Sequence, residues 1–437
     1  MRDRGVYLNI GAPVPGITVH DWSDARWETY LDRIRRAGAT TLHFHVWQDV
    51  LSDFACAPER RADNRRLHER LQTMIRRARR RGLRTVFLMA PTFVPRPIFD
   101  AHPRLHAEIE YVDHGFPCLC PSRDATWPLI EAFLTHEWNW FRECDAYQLW
   151  FYDPGGCVCD RCRADLCAPL LRQIDLAERV VRRASPRARV EISLWPVWAW
   201  ERILKRPFGE ELLDRVAARR ERARPVVVDS AEGDDAFLEE AKARGFQAHG
   251  FQFSANVETP FVFFHPLTRY FEETTTRLRA KRVDGALVHA LNPAPKELST
   301  LIGLRTLTRP DDPTSRRIRD ACRIHLGDRA AADRLAPHLE RWESLLGAPK
   351  PDPGAATDLA RDVDIALGAL RSAEADAVRT SIRAVAEILA PDTQTLPERL
   401  TKLLGASAMF RAFAPVAAAE HAALRTFVDT GWNSVHY

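Results

Sequence analysis

Residues 24–47 read DARWETYLDRIRRAGATTLHFHVW and contain one complete step from a helix to a strand. Apolar residues recur at helical spacing from residue 24 to residue 37, and an apolar and aromatic run follows from 41 to 47. Gly38 lies between them, where glycine ends a helix because it adopts the left-handed conformation at little cost. This stretch therefore predicts one repeat of a helix-and-strand architecture.

The same alternation extends on both sides of that stretch, from residue 5 to about residue 308. Eight runs rich in β-branched and aromatic residues are predicted as strands: 6–10, 41–47, 85–90, 147–153, 190–195, 225–229, 248–253 and 286–291. Helical patterns follow most of them, at 24–37, 65–80, 162–184, 210–222, 235–244, 266–281 and 296–307. Eight such units match a closed parallel barrel, whereas an open sheet would more often begin with a glycine-rich turn that NIGAPVPG (9–16) does not supply. We therefore predict an α/β fold with a (β/α)8 TIM barrel.

The chain of 437 residues is longer than one hydrophobic core usually covers, so two domains are expected. Strand signals stop after TRPDDPTS (308–315), and apolar residues then recur at helical spacing. The predicted division is a catalytic-type barrel at 1–308 and a C-terminal all-α domain at 309–437. The apolar stripes of this alanine-rich tail predict that it packs against the barrel or against a second subunit, which would form a homodimer.

The composition excludes several classes of protein. Apolar residues make up 46% and charged residues 28% of the chain, and the net charge is +4, which is typical of a globular protein. The arginine cluster at 76–81 lies in a helical pattern and predicts a solvated outer face, so we expect no nucleic-acid partner. Neither an export signal nor a run of about 18 apolar residues is evident, which predicts a cytoplasmic protein without a membrane span.

Active sites of barrel enzymes lie at the carboxyl ends of the strands, which directs attention to the carboxylates there. Asp153 ends the run QLWFYD and is followed by Pro-Gly-Gly, so we predict it as a general acid, with capping of the next segment as the alternative. Acid–base hydrolysis, such as the cleavage of glycosides, uses a second carboxylate as well. Asp229 at the end of the sixth strand is preferred over Glu232 and Glu258, although it too could cap a helix.

Aromatic, amide and imidazole side chains at the same strand ends suit a sugar, which presents apolar C–H faces and polar edges. The tryptophans of LWPVWAW (194–200) are the clearest example, with core packing as their alternative role. His43 and His45 share one face of a strand, and the inward face is favoured because their neighbours are apolar. The predicted substrate-binding residues are His45, Trp47, Tyr152, Trp195, Trp198, Gln252, Glu258, His289 and Asn292.

The most specific local motif is GGCVCDRC (155–162), which combines C-x-C with C-x-x-C. The chain has nine cysteines, and in the cytosol thiols stay reduced, so metal binding or burial is favoured over disulfides. CLC (118–120) offers a fourth sulfur from the preceding loop, through Cys118 or Cys120, with Cys167 in reserve. We predict one structural zinc ion held by Cys120, Cys157, Cys159 and Cys162, with free thiols or a redox pair as the alternative, and no organic cofactor.

The segments YDPGGCVCDRC (152–162) and CLCPSRDATW (118–127), together with the eight repeats, resemble barrel glycoside hydrolases, with similarity to the hexosaminidases of families 20 and 123 and to the α-glucuronidases. In those hexosaminidases the fourth strand ends in an Asp-Glu pair, whose second member is the acid. The resemblance therefore implies Asp153 as the acid of an enzyme that cleaves a small oligosaccharide or glycoside. Tyr152 replaces the aspartate that holds the acetamido group, so the acetamido-assisted mechanism is not implied.

The rival hypothesis from another class is a non-catalytic carbohydrate-binding or scaffold barrel, because one fold carries many functions. A second carboxylate that faces Asp153 would favour catalysis. A pocket with only aromatic and amide groups would favour binding alone. A metal-dependent barrel hydrolase is a third class, but it would need histidine and aspartate ligands, and the first strand does not end in H-x-H.

Overall fold

A computed structural model describes a large part of the chain. The described residues are 1–10, 19, 22–46, 51–108, 117–151, 157–194, 197, 201, 205–219, 226–228, 236–253, 266–290, 293–346, 351–390, 394–407, 410–411 and 414.

The strands form an α/β barrel, as the alternating pattern predicts. They are β1 (Asp3–Ile10), β2 (Thr41–Val46), β3 (Arg84–Met89), β4 (Ala146–Trp150), β5 (Arg189–Ser193), β6 (Val226–Val228), β7 (Gln247–Phe253) and β8 (Gly285–Ala290). Their order around the closed sheet is their order in the chain. Neighbouring strands from β2 to β7 pair in parallel. Parallel strands of this kind are buried on both faces, and β2 and β8 have every residue buried.

The helices between strands are α1 (Asp24–Ala37), α2 (Pro58–Arg80), α3 (Arg96–Ala101), α4 (Thr126–Phe141), α5 (Asp160–Ala164), α6 (Cys167–Ala184), α7 (Gly209–Ala217), α8 (Ala236–Ala243) and α9 (Thr268–Ala280). Those after β8 are α10 (Pro293–Thr308), α11 (Thr314–Leu326), α12 (Arg329–Leu346), α13 (Pro353–Leu367), α14 (Ala373–Leu389) and α15 (Leu396–Ala406). Of the helices described, none has the length and apolar character needed to cross a membrane.

The helix α1 shows how the sequence sets these boundaries. Ser23 begins it, because its side chain accepts a hydrogen bond from the backbone N–H of Arg26. Gly38 ends it in the left-handed conformation, with φ at 110°, as the sequence predicts. Two other boundaries differ from the expectation. The second helix begins at Pro58, and the predicted helix 162–184 is divided into α5 and α6.

Contacts divide the chain into two compact units. One consists of Met1–Tyr7, Thr40–Phe251 and Leu278–Leu287, and the other of Leu8–Ala39, Gln252–Arg277 and Val288–Tyr437. The first contains β2 to β6 and α2 to α8, and the second contains α1 and α10 to α15.

The second unit has a buried ion network between helices that are distant in sequence. Glu297 of α10 is fully buried and forms ion pairs with Arg26 and Arg33 of α1. Both arginines also pair with Glu374 of α14, at 3.2 Å and 2.9 Å. These charges lower the pKa of Glu297 to about 2, although its burial alone would raise it. The network therefore links α1 to α10 and α14.

Candidate active site and cysteine cluster

Polar side chains occupy the part of the barrel interior that is further from the carboxyl ends of the strands. His43 of β2 lies 3.4 Å from the amide oxygen of Gln148 in β4, measured from Nδ1. Arg84 of β3 forms an ion pair with the fully buried Glu191 of β5. Burial, together with the charge of Arg84, holds the pKa of His43 well below its usual value, so this imidazole is neutral. These two pairs form a buried polar layer inside the barrel.

Aromatic and imidazole rings form the layer above, towards the carboxyl ends of the strands. The Tyr7 hydroxyl lies 3.1 Å from Nδ1 of His45. The His45 ring stacks on Trp150 at 5.5 Å between centroids and 29° between planes. Tyr7 also contacts Trp150 and Phe251, each at 5.6 Å. Trp150, the last residue of β4, is the partly exposed member, so one aromatic ring supported by an imidazole lies at the carboxyl end of that strand.

The inward orientation predicted for the two histidines of β2 is confirmed by their contacts inside the barrel. Tyr7, however, was not among the predicted site residues. A signal for it exists in the sequence, because Tyr7 shares a strand face with Asn9, the polar residue near the end of β1. Its neighbours Val6 and Leu8 occupy the other face.

Gln252, a predicted substrate-binding residue, points away from the barrel interior. Its amide Nε2 donates to the backbone oxygen of Phe271 at 3.3 Å and to Oγ1 of Thr275 at 2.8 Å. Both partners belong to helix α9, so the side chain faces the helices. Successive residues of a strand point to opposite faces, and the preceding Phe251 is the one that contacts Tyr7. Gln252 therefore stabilises the packing of β7 on α9 instead of contacting a substrate.

The other predicted substrate and catalytic residues divide into two groups. His289 is buried at the penultimate position of β8. The remaining ones lie outside the described residues, and their roles stay predictions: Trp47, Tyr152, Asp153, Trp195, Trp198, Asp229, Glu258 and Asn292.

The structure brings the four predicted metal-binding cysteines together. The sulfurs of Cys120, Cys157, Cys159 and Cys162 all lie within 4.8 Å of one another. Cys120 Sγ is 3.8 Å from Cys159 Sγ and 3.9 Å from Cys162 Sγ. All four side chains are buried free thiols, none more than 9% exposed. Hydrogen bonds with Cys157 and then Cys162 lower the pKa of Cys120, so the cluster stabilises a thiolate.

Backbone hydrogen bonds connect the segments that carry these cysteines. An antiparallel bridge pairs Phe93 with Cys118, and another pairs His106 with Leu119. The N–H of Val158 donates to the oxygen of Glu108 at 2.8 Å. The segments that follow β3 and β4 are thereby joined through residues 105–108.

A hydrophobic cluster lies between the thiols and the aromatic layer. Cys118 packs with Ala90 and Phe93, and Trp150 packs against that group. Ala107 contacts both this cluster and the four thiols. Cys118 is therefore occupied in apolar packing next to Trp150, which leaves Cys120 as the member of CLC that joins the sulfur cluster.

A second buried cluster of ionisable groups lies between α2 and α4. Asp53 Oδ1 accepts a hydrogen bond of 2.6 Å from Nε2 of His136, and Oδ2 accepts one of 3.0 Å from Nε of Arg65. Glu137 lies 3.3 Å from Nε2 of His68. Burial alone would lower the pKa of His68, but the hydrogen bond and charge of Glu137 raise it. Each acid here has a basic partner, and the resulting contacts link α2 with α4.

Comparisons with known proteins identify a fold. Neither a protein-family model nor a curated protein sequence matches this chain. Among solved structures, a GH138 enzyme targeting pectin rhamnogalacturonan II aligns with a TM-score of 0.51 and 10% identity, over 99% of this chain and 63% of that one. An O-GlcNAc hydrolase of Thermobaculum terrenum gives 0.49 and 13%, over 98% and 83%. Dispersin B gives 0.44 and 10%, over 71% and 99%.

The chain thus spans less than two thirds of the length of the GH138 enzyme. At 10% identity, this likeness shows a shared barrel fold and no more. The resemblance to barrel glycoside hydrolases expected from the sequence is confirmed at that level.

Proposed function

We propose that this chain is a glycoside hydrolase-like enzyme that cleaves a small oligosaccharide or glycoside at the carboxyl ends of its barrel strands. The observation that supports it is the partly exposed Trp150 ring at the end of β4, stacked on His45. An indole face packs well against the C–H face of a sugar ring. The GH138 enzyme of similar fold targets pectin rhamnogalacturonan II, which is consistent with such a site.

The Tyr7–His45 pair acts as a positioning element in this proposal. The phenol hydroxyl holds one nitrogen of the imidazole at 3.1 Å, which fixes the ring plane that supports Trp150. A rigid aromatic platform loses little conformational entropy when a sugar binds. The substrate would therefore meet a surface that is already in its binding geometry.

The two proposed carboxylates follow strands whose register is known. Trp150 of β4 pairs with Ser193 of β5, and Ser193 pairs with Val228 of β6. Asp153 follows this row by three residues and Asp229 by one. Adjacent strands are about 4.8 Å apart, so the two ends of the row are roughly 10 Å apart. The carboxylates of glycosidases are ~5 to 9.5 Å apart, which is of the same order as this distance between the two strands.

The proposed chemistry assigns one role to each acid. Asp153 protonates the glycosidic oxygen as the bond breaks, and Asp229 either removes a proton from the attacking water or attacks the sugar itself. An apolar neighbour such as Trp150 favours the protonated form of an acid, as the first role requires. The separation of the two carboxylates decides between inversion and retention.

The test is hydrolysis of a panel of aryl glycosides by the wild type and by Asp153→Asn, followed by release of the phenol. The substitution should lower kcat/KM by at least about 100-fold, because proton transfer contributes 10²–10⁴-fold. Asp124→Asn is the control, since Asp124 is 87% exposed and pairs with Arg172 on the surface. Unchanged hydrolysis by Asp153→Asn would remove this acid from the mechanism. Sugar binding by a wild type that hydrolyses none of the panel would favour a carbohydrate-binding barrel.

A further inference from the structure

The spacing of the four sulfurs matches a tetrahedral metal site. A zinc ion about 2.3 Å from each of four tetrahedral sulfurs holds those sulfurs about 3.8 Å apart. Cys120 Sγ lies 3.8 Å from Cys159 Sγ and 3.9 Å from Cys162 Sγ, and no pair in the group exceeds 4.8 Å. A disulfide would instead require about 2.05 Å between two sulfurs. The observed spacing therefore fits a shared ion better than a bond between sulfurs.

A backbone N–H and a hydroxyl group lie within hydrogen-bond distance of two of the sulfurs. The backbone N–H of Glu108 donates to Cys157 Sγ at 3.3 Å. The hydroxyl of Ser122 lies 2.6 Å from Cys162 Sγ. Donors of this kind offset the negative charge of thiolates and orient them, which is the usual outer shell of a metal–sulfur site. An apolar packing role for the cysteines needs no such donors.

Four buried thiols with this geometry favour particular metal centres. Soft sulfur ligands in a tetrahedral arrangement select zinc or an iron–sulfur centre, and zinc needs no redox partner. All four positions of the ion would be taken by protein sulfur, so no site is left for a reacting water. We propose that Cys120, Cys157, Cys159 and Cys162 together hold one structural zinc ion.

The ion would join two segments that otherwise depend on a few backbone hydrogen bonds. Cys120 belongs to the segment after β3, and the other three cysteines belong to the segment after β4. Ala107 packs against both the thiols and the cluster that contacts Trp150. The zinc site would thus lie next to the apolar cluster of Ala90, Phe93 and Cys118 that supports Trp150. Its effect on a bound ligand would be indirect.

The experiment measures metal in the purified full-length chain, prepared without chelators. Elemental analysis should find about one zinc per chain, and X-ray absorption at the zinc edge should show four sulfurs near 2.3 Å. Cys159→Ser should retain zinc against a chelator at least about tenfold less well. Cys118→Ser is the matched control, because this buried neighbour packs against Phe93 outside the sulfur cluster and should keep the metal.

The wild type alone can overturn the proposal, so the test does not depend on a variant that folds. A zinc-free chain whose four cluster cysteines react with a thiol reagent in the native state would refute it, as would an intact mass showing disulfides. An iron–sulfur absorption spectrum would also contradict it. Hydrogen exchange gives a readout apart from activity, since chelation should increase exchange at residues 117–120 and 157–162 while the strands stay protected.

Discussion

Replacing Glu297 by glutamine removes the negative charge from the centre of the ion network between α1, α10 and α14. The pKa of this fully buried carboxyl falls from an ordinary 4.5 to about 2 in the folded chain. A shift of that size stabilises the fold by about 3 kcal/mol at neutral pH, since each unit corresponds to about 1.4 kcal/mol. Breaking a buried ion pair typically costs about 3–5 kcal/mol. We expect the lower value, because Arg26 and Arg33 keep Glu374 as a partner.

The contribution of Glu297 to the free energy of unfolding should depend on pH. Because folding lowers the pKa of Glu297, its contribution is present above about pH 4.5 and is lost as the pH falls towards 2. The difference in unfolding free energy between the wild type and Glu297→Gln should therefore shrink on acidification. Urea unfolding from pH 7 to pH 3, with hydrogen exchange at α1 and α10, measures it.

A surface pair supplies the control for this measurement. Asp358→Asn removes an exposed carboxylate that pairs with Arg361 one turn away on α13. Such pairs contribute at most about 1 kcal/mol. If Glu297→Gln cost no more than this control, or if its cost were the same at pH 7 and pH 3, the ion network would not be stabilising the second unit as argued.

Two further predictions concern other buried contacts. Glu137 raises the pKa of His68, so the stability that wild type gains over His68→Gln should be full below about pH 6.5 and decline as the pH rises further. Urea midpoints at pH 5.5 to 9 would show this, and a constant difference would contradict it. Gly38→Ala should destabilise by at least about 1 kcal/mol, since φ is 110° and the new Cβ would lie 2.1 Å from the Thr308 hydroxyl. Gly82→Ala also has positive φ but open space around it, so thermal unfolding of both separates backbone strain from the clash.

The strands were predictable because each is a short apolar run bounded by turn residues. The face of the sheet to which a side chain points was harder to predict, as Gln252 shows. A barrel strand is buried on both faces, so polarity does not alternate and cannot tell the inward face from the outward one. The helix α4, with the sequence TWPLIEAFLTHEWNWF, was not predicted either. Its aromatic residues favour strands by propensity, and packing on the barrel overrides that preference.

The cysteine cluster was predictable in part. C-x-C followed by C-x-x-C places three sulfurs so close in sequence that few backbone conformations keep them apart. The sequence offered both Cys118 and Cys120, and the reason why Cys120 joins the cluster is visible only in the structure, where Cys118 bridges to Phe93 and packs there. The carboxylates Asp153 and Asp229 lie outside the described residues, so their pairing stays a prediction.

The polar layer inside the barrel has a kinetic consequence for the proposed enzyme. His43 contacts Gln148, and Arg84 pairs with Glu191, below the rings of Tyr7, His45 and Trp150. A ligand bound above this layer would enter and leave by the barrel mouth. The two halves of a cleaved glycoside would then depart one after the other, the outer fragment first. The fragment nearest the floor would compete with incoming substrate, so inhibition by that product should be competitive.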